Sequence, residues 1–385
     1  LRVLKKGGNA VDAAIAASIV LSVTEPNATS IGGDCFAIIK MNGKDPVSFN
    51  GSGMAPEKAN YDFFQKNNID KIGLTSPHSV TIPGALDAWN KIHDEFGSLE
   101  FEELFHKGID VAKNGYKVTN VVSNAWNNSL NKLSENKNSK IHMLKDGKSY
   151  QLNDLRKSQA LGETLELISK KGVKEFYNGS IADDIIKSLN DLGGLHTIED
   201  FQKQNTIRSE TISADYRNIS IHQCPPSGPG ITVLVMMRLL EKLSIEKYNV
   251  NSVERFHLEA EVTKQAYKLK EETIGDPDFV NLDLKKILSE DNIDNIYKNI
   301  SVNSCADVGD LNIPNHPETV YLTVVDKDLN VASMINSVCY AFGSGITSQK
   351  TGVVLHNRGT NFRVEEGHPN CIQGLKRPLH TIIPG

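Results

Sequence analysis

The sequence predicts a layered α+β fold. Three observations carry this prediction. A mainly helical stretch runs from Tyr61 to about Ser209, strand signals sit before and after it, and no regular strand–helix alternation of the doubly wound kind occurs. At 385 residues, 39% of them apolar, the chain can bury one large core or two small ones.

The elements follow in order. Gly7-Gly8-Asn9 leads into Ala10-Val11-Asp12-Ala13-Ala14-Ile15-Ala16-Ala17, a helix small and apolar enough to be buried on most sides, and Pro26-Asn27 ends it. Two short apolar runs, Cys35 to Met41 and Val47 to Phe49, flank Asn42-Gly43 and read as a β-hairpin. Ile219-Ser220-Ile221-His222 alternates like a strand. Pro225 to Gly230 is a rigid loop, Ile231 to Leu243 an apolar helix, and Asn251 to Glu272 an amphipathic one. The polar stretch from Ala306 to Glu318 reads as an exposed linker. Two strands follow it, Thr319 to Val325 and Val331 to Cys339.

Composition narrows the function. A net charge of −5 with scattered basic residues offers no nucleic-acid footprint. No apolar run approaches the ~20 residues that a membrane span needs. Five widely spaced cysteines without a C-x-x-C pair argue against a disulfide framework and a thiolate zinc site, and favour a reducing, cytoplasmic compartment. No H-E-x-x-H, P-loop, G-x-S-x-G or G-x-G-x-x-G pattern occurs, so neither a metal nor a cofactor is expected. Lys350-Thr351-Gly352 spells one β-lactamase box, and Ser129 to Lys132 and Ser244 to Lys247 match S-x-x-K. No S-D-N box follows either, and such matches arise by chance in a chain rich in Ser and Lys.

The informative stretch is Thr319-Val320-Tyr321-Leu322-Thr323-Val324-Val325-Asp326. An ordinary hairpin strand satisfies the pattern. The alternative is cleavage of the Glu318–Thr319 bond, because a threonine at a new N-terminus has its own α-amine as the adjacent base.

This stretch resembles the start of the small subunit of gamma-glutamyltransferases, where T-T-H-[YF]-S-V-V-D opens with the catalytic threonine; Val324-Val325-Asp326 sets Thr319 at that position. Further matches occur in the family's order. They include Gly7 to Ala14, Ile31-Gly32-Gly33, Met54-Ala55-Pro56, Phe176-Tyr177-Asn178-Gly179, Cys224-Pro225-Pro226-Ser227-Gly228, Gly275-Asp276-Pro277-Asp278-Phe279 and Lys376-Arg377-Pro378-Leu379. The resemblance covers essentially the whole chain. It implies the four-layer αββα sandwich of the N-terminal-nucleophile hydrolases, with residues 1–318 as large-subunit part and 319–385 as small-subunit part. It also implies self-cleavage by an N→O acyl shift of Thr319 onto the Glu318 carbonyl, and it leaves room for a dimer of such heterodimers.

Departures from the family pattern concern substrate recognition. The arginine two residues before the M-A-P methionine, which holds a substrate α-carboxylate in the transferases, is Ser52 here. A hydroxyl cannot replace a bidentate guanidinium. The segment N-N-[QE]-M-D-D-F reads His356-Asn357-Arg358-Gly359-Thr360-Asn361-Phe362, with Arg358 at the Gln/Glu position and Asn361 at the aspartate position. A site for an ammonium has thereby lost negative charge and gained positive charge. The paired pocket serines become His380 and Thr381, the pocket asparagine becomes Cys339, and Ser337 stands where a second threonine bonds the nucleophile. Period-two alternation sets Ser337 and Cys339 on one face.

G-S-G before M-A-P, N-R-G, and H-T-I-I-P-G together resemble the branch containing oxamate amidohydrolase, whose substrate is a small carboxylate-bearing amide. Arg358 is the expected carboxylate anchor, with a structural ion pair as its alternative. His380 is either a pocket hydrogen-bonder or a packed ring. A true gamma-glutamyltransferase or glutathione hydrolase, and an unprocessed, non-enzymatic binding protein, are the competing functions. The family's oxyanion-hole glycines lie downstream of Gly385, and the chain does not start with methionine, so both ends are expected to continue.

Overall fold

The computed structural model describes residues 1–309, 311 and 318–385; most of the linker read at Ala306 to Glu318 lies outside these residues. The opening helix, α1 (Ala10–Thr24), starts at a capping box. The Asn9 side chain accepts from the Val11 and Asp12 N–H groups, and Asp12 accepts from the Asn9 N–H.

The hairpin is present as β1 (Asp34–Lys40) and β2 (Val47–Gly51). The helical stretch opens with a short helix at Tyr61–Lys66 and includes α2 (Ala85–Phe96) and α3 (Phe101–Asn114). That stretch ends earlier than the sequence reading has it, because Ile207–Glu210 is a strand, β3, pairing with β2. This edge strand is held by backbone bonds and carries mixed polar residues, so it lacks an apolar signature.

Strand β4 (Ile212–Tyr216) pairs with β5 (Ile219–Gln223) as a separate ribbon, followed by α4 (Gly230–Leu243) and α5 (Val253–Thr273). Strands β6 (Glu318–Val325) and β7 (Val331–Cys339) complete an antiparallel five-stranded sheet of order β3-β2-β1-β7-β6.

The sheet is covered on both faces. Cys35, Ala37, Ile39, Ala332 and Met334 pack in one cluster with residues of α1, α2 and α3. Phe36, Ile38 and Ile335 face the other way, against Cys224 and Ile382. Full burial of each large apolar side chain contributes roughly 1.5–3 kcal/mol. Asn336, buried between β7 and the helices, accepts from Trp89 Nε1 (2.9 Å) and donates to Ser18 Oγ (2.9 Å), so it leaves no unpaired polar group. No helix among the described residues is long and apolar enough to cross a membrane.

Candidate active site

The strand register assembles the site. Asp34 on β1 pairs with Ser337 on β7, on the face opposite the helices. Between β6 and β7, Glu318 pairs with Cys339 and Val320 with Asn336, so one extra residue of β7 is accommodated beside Thr319. Thr319 Oγ1 lies 3.1 Å from Ser337 Oγ, and Ser337 Oγ donates to the Glu318 carbonyl at 2.9 Å. Gly33 allows the close approach of this turn: a Cβ there would lie 2.5 Å from the Ser337 carbonyl oxygen.

Ser337 Oγ also accepts twice, from the Cys339 N–H at 2.9 Å and from Arg358 Nη2 at 3.2 Å. A hydroxyl has two acceptor lone pairs and one proton. With both pairs taken by N–H donors, Ser337 faces the Glu318 carbonyl and Thr319 Oγ1 as a donor.

Arg358 opens a short 3₁₀ turn, Arg358–Asn361, and is fully buried. Its Nη1 donates to Thr381 Oγ1 at 2.9 Å, and its Nε lies 3.7 Å from Asp34 Oδ2. Among the described residues, Asp34 is the only carboxylate within ion-pair distance of it.

Asp34 is shared. Its Oδ2 is 2.9 Å from His356 Nδ1, and its Oδ1 accepts from the Gly53 N–H at 3.2 Å. His356 Nε2 is 2.9 Å from the Thr81 carbonyl, so both ring nitrogens face oxygen atoms. Burial alone would push the Asp34 carboxyl up; the His356 charge and hydrogen bond, with His380 and Arg358, outweigh it and hold the carboxyl below the usual range. The cluster joins Asp34, Arg358 and His356 beside Ser337 and Thr319.

The remaining predicted residues converge here with different contacts. Ser52 and His380 are both buried and pair with each other, Oγ to Nε2 at 2.5 Å. The His380 ring also packs on Phe36 at 4.7 Å between centroids. Burial, reinforced by Arg358, holds His380 well below its ordinary pKa, so it is a neutral ring. His380 thus bonds Ser52 and packs on Phe36. Thr381 is half-buried on Arg358.

The Asn361 amide donates to the Leu379 carbonyl at 2.9 Å and so ties the 3₁₀ turn to the C-terminal segment. The strand alternation stops at Cys339, whose φ of 78° bends the chain; its contact with the site is the N–H on Ser337 Oγ. Burial raises its thiol pKa, which keeps the sulfur neutral.

Two central residues, Asp34 and His356, escaped the sequence reading. The detectable signal is a charged residue inside the apolar run Asp34-Cys35-Phe36-Ala37-Ile38-Ile39. The β-lactamase-like boxes have structural partners: Lys132 Nζ donates to the Ala341 and Gly343 carbonyls, and the Lys350 and Thr351 N–H groups bind Asp184.

The sequence profile of the family described as gamma-glutamyltranspeptidase matches residues 1–385. The chain belongs to the gamma-glutamyltranspeptidase family. It is 31% identical over 390 residues to the glutathione hydrolase-like YwrD proenzyme of Bacillus subtilis (strain 168), covering 100% of this chain and 72% of that protein. It is 30% identical over 403 residues to the glutathione hydrolase proenzyme of Escherichia coli (strain K12), covering 99% and 69%.

Among solved structures, the cephalosporin acylase from Bacillus halodurans superposes with a TM-score of 0.91 at 29% identity, covering 100% of this chain and 71% of that one. The Helicobacter pylori gamma-glutamyltranspeptidase superposes at 0.75 with 26% identity, covering 80% and 89%. Membership of this gamma-glutamyltranspeptidase family makes the chain an enzyme of the N-terminal-nucleophile hydrolase fold, with a layered antiparallel sheet as its frame.

Proposed function

We propose that the protein is a self-cleaving threonine amidohydrolase whose substrate is a small amide carrying a carboxylate. The observation that carries this reading is Arg358. It is a fully buried guanidinium, one hydroxyl away from Thr319 through Ser337, whose single carboxylate neighbour among the described residues is shared with His356. Each of its terminal nitrogens bonds one protein oxygen and keeps a second N–H that no described residue accepts. Two parallel N–H donors match a carboxylate.

Cleavage begins with Thr319 Oγ1 bonding to the Glu318 carbonyl carbon. The carbonyl oxygen takes the negative charge next to the Ser337 hydroxyl, and the hydroxyl proton of Thr319 passes to water. Collapse breaks the C–N bond, the nitrogen takes a proton, and an ester links Glu318 to Thr319 Oγ1. That collapse frees the Thr319 α-amine; water then hydrolyses the ester, giving the Glu318 carboxylate and restoring the Thr319 hydroxyl.

In the mature enzyme the α-amine accepts the Thr319 hydroxyl proton as Oγ1 attacks the substrate amide carbon. It returns the proton to the leaving ammonia or amine, and water resolves the acyl-enzyme.

A second reading, hydrolysis of γ-glutamyl compounds, is favoured by the names of the Bacillus subtilis and Escherichia coli relatives. It needs a carboxylate for the substrate α-ammonium, and Asp34 is already engaged by His356 and the Gly53 N–H. The test is a comparison of ammonia release from oxamate with anilide release from a γ-glutamyl anilide. The amidohydrolase reading expects oxamate to be the better substrate by kcat/KM. Equal or faster turnover of the anilide overturns it in favour of the second reading.

A further inference from the structure

Arg358 has a protein partner that neither carboxylate anchoring nor charge balance requires, namely the lone pair of Ser337 Oγ at 3.2 Å. We infer that Arg358 is a positioning residue for cleavage of the Glu318–Thr319 bond, acting through Ser337, with its guanidinium held by the Asp34–His356 pair. This rests on the reading that the bond is cut, and it assigns Arg358 a task before any substrate is bound.

The argument is one of donors and acceptors. The acyl shift needs a hydrogen-bond donor where negative charge develops, on the Glu318 carbonyl oxygen. Ser337 Oγ is 2.9 Å from that oxygen and 3.1 Å from the attacking Thr319 Oγ1. A serine without other partners can turn its proton toward Thr319, and in that orientation it leaves the carbonyl unassisted.

Here the Cys339 N–H and Arg358 Nη2 fill both lone pairs of Ser337. The only remaining bond is outward donation, and the carbonyl is its nearer target. Once the Glu318 carbonyl has departed, the same proton has Thr319 Oγ1 as its acceptor. A guanidinium suits this task because it has no acceptor and does not lose its proton.

The supports of Arg358 are equally specific. Asp34 and Ser337 are register partners on adjacent strands, so the counter-ion and the hydroxyl that Arg358 bridges are fixed by the same backbone pairing. Asp34 is in turn held by the Gly53 N–H and His356, and His356 is held by the Thr81 carbonyl. Thr381 takes the other terminal nitrogen of Arg358. The guanidinium therefore has a fixed orientation without bound substrate.

The experiment follows cleavage of the full chain over time after cell-free synthesis, with no substrate present. The proteins compared are wild type, Thr319→Ala, Ser337→Ala, Arg358→Lys and the Ser337→Ala/Arg358→Lys double variant. Loss of an oxyanion donor slows reactions by about 10²–10³-fold, and Ser337→Ala is expected in that range. Arg358→Lys keeps a cation for Asp34 but loses the rigid fork, and is expected to slow cleavage about tenfold.

Once Ser337 is absent, Arg358→Lys should add less than about twofold, because residues acting as one unit are non-additive. A purely structural Arg358 would slow both backgrounds alike. That result, or an Arg358→Lys chain cut as fast as wild type, overturns the proposal while leaving the cleavage reading intact. A wild-type chain that stays whole, or a Thr319→Ala chain that is cut, overturns the cleavage reading and this inference with it. Melting temperatures of the Arg358 variants in the Thr319→Ala background separate slow cleavage from failure to fold.

Discussion

Replacing Asp34 by Asn tests the electrostatic frame of the site. The change keeps shape and volume, so it opens no cavity, and the asparagine oxygen can still accept the Gly53 N–H. It removes the carboxylate near Arg358 Nε (3.7 Å) and His380 Nε2 (3.9 Å), and it confronts His356 Nδ1 with an amide in place of an anion.

Removing one partner of a buried ion pair costs about 3–5 kcal/mol. The lower end applies here, because Arg358 approaches Asp34 without a hydrogen bond. A loss of about 3 kcal/mol corresponds to a Tm lower by roughly 3–5 °C in a chain of this size. The measurement is a thermal melt of Asp34→Asn against its parent, both in the Thr319→Ala background so that both remain uncut. Because Asp34 and Arg358 are fully buried, the difference should persist in high salt, unlike that from a surface pair. A Tm within 1–2 °C of the parent, or a difference that vanishes with salt, would refute the assignment of Asp34 as the counter-ion that holds the site together (threshold about 1 kcal/mol).

Two further predictions concern the frame. Gly33→Ala puts a Cβ against the Ser337 carbonyl, so it should destabilise by about 1–3 kcal/mol or more and slow self-cleavage, because backbone rather than a flexible side chain must move. Near-normal stability and cleavage would show that β1 and β7 can separate freely there.

Acid should also destabilise the fold before the carboxylates titrate. Burial lowers the His196 pKa to about 4, with its Nε2 on the Val80 carbonyl, and His380 is shifted the same way. The unfolded imidazoles take protons below about pH 6.5 while the folded ones refuse them, so stability is lost as pH falls from about 6.5 toward 4, by roughly 3 kcal/mol for His196. The lowered Asp34 carboxyl adds its loss only below the ordinary carboxylate range. Urea midpoints at pH 7.5, 6 and 5 should decline, and a flat profile would contradict the neutral buried rings.

The strands around Thr319 and Ser337 were legible because each is a long β-branched or apolar run, bounded by turns. Arg358, His380 and Ser52 were legible only as departures from a family pattern; nothing in their local sequence shows that Ser52 and His380, 328 positions apart, bond to each other. Asp34 and His356 were not read as functional. Their role depends on a register pairing of β1 with β7 and on a loop returning to Thr81, which are tertiary facts. Edge strand β3 was missed for a related reason: its pairing with β2 uses the backbone, and its side chains alternate between half-buried and exposed. Cys339 closes the strand with a positive φ that its local sequence does not announce.

The account turns on the Glu318–Thr319 bond, and intact mass of the purified protein tests it most directly. Two polypeptides are predicted, with the smaller one beginning Thr-Val-Tyr-Leu at Thr319, and a single whole chain for Thr319→Ala. A wild-type protein that remains one chain, or a new N-terminus anywhere other than Thr319, would contradict the account.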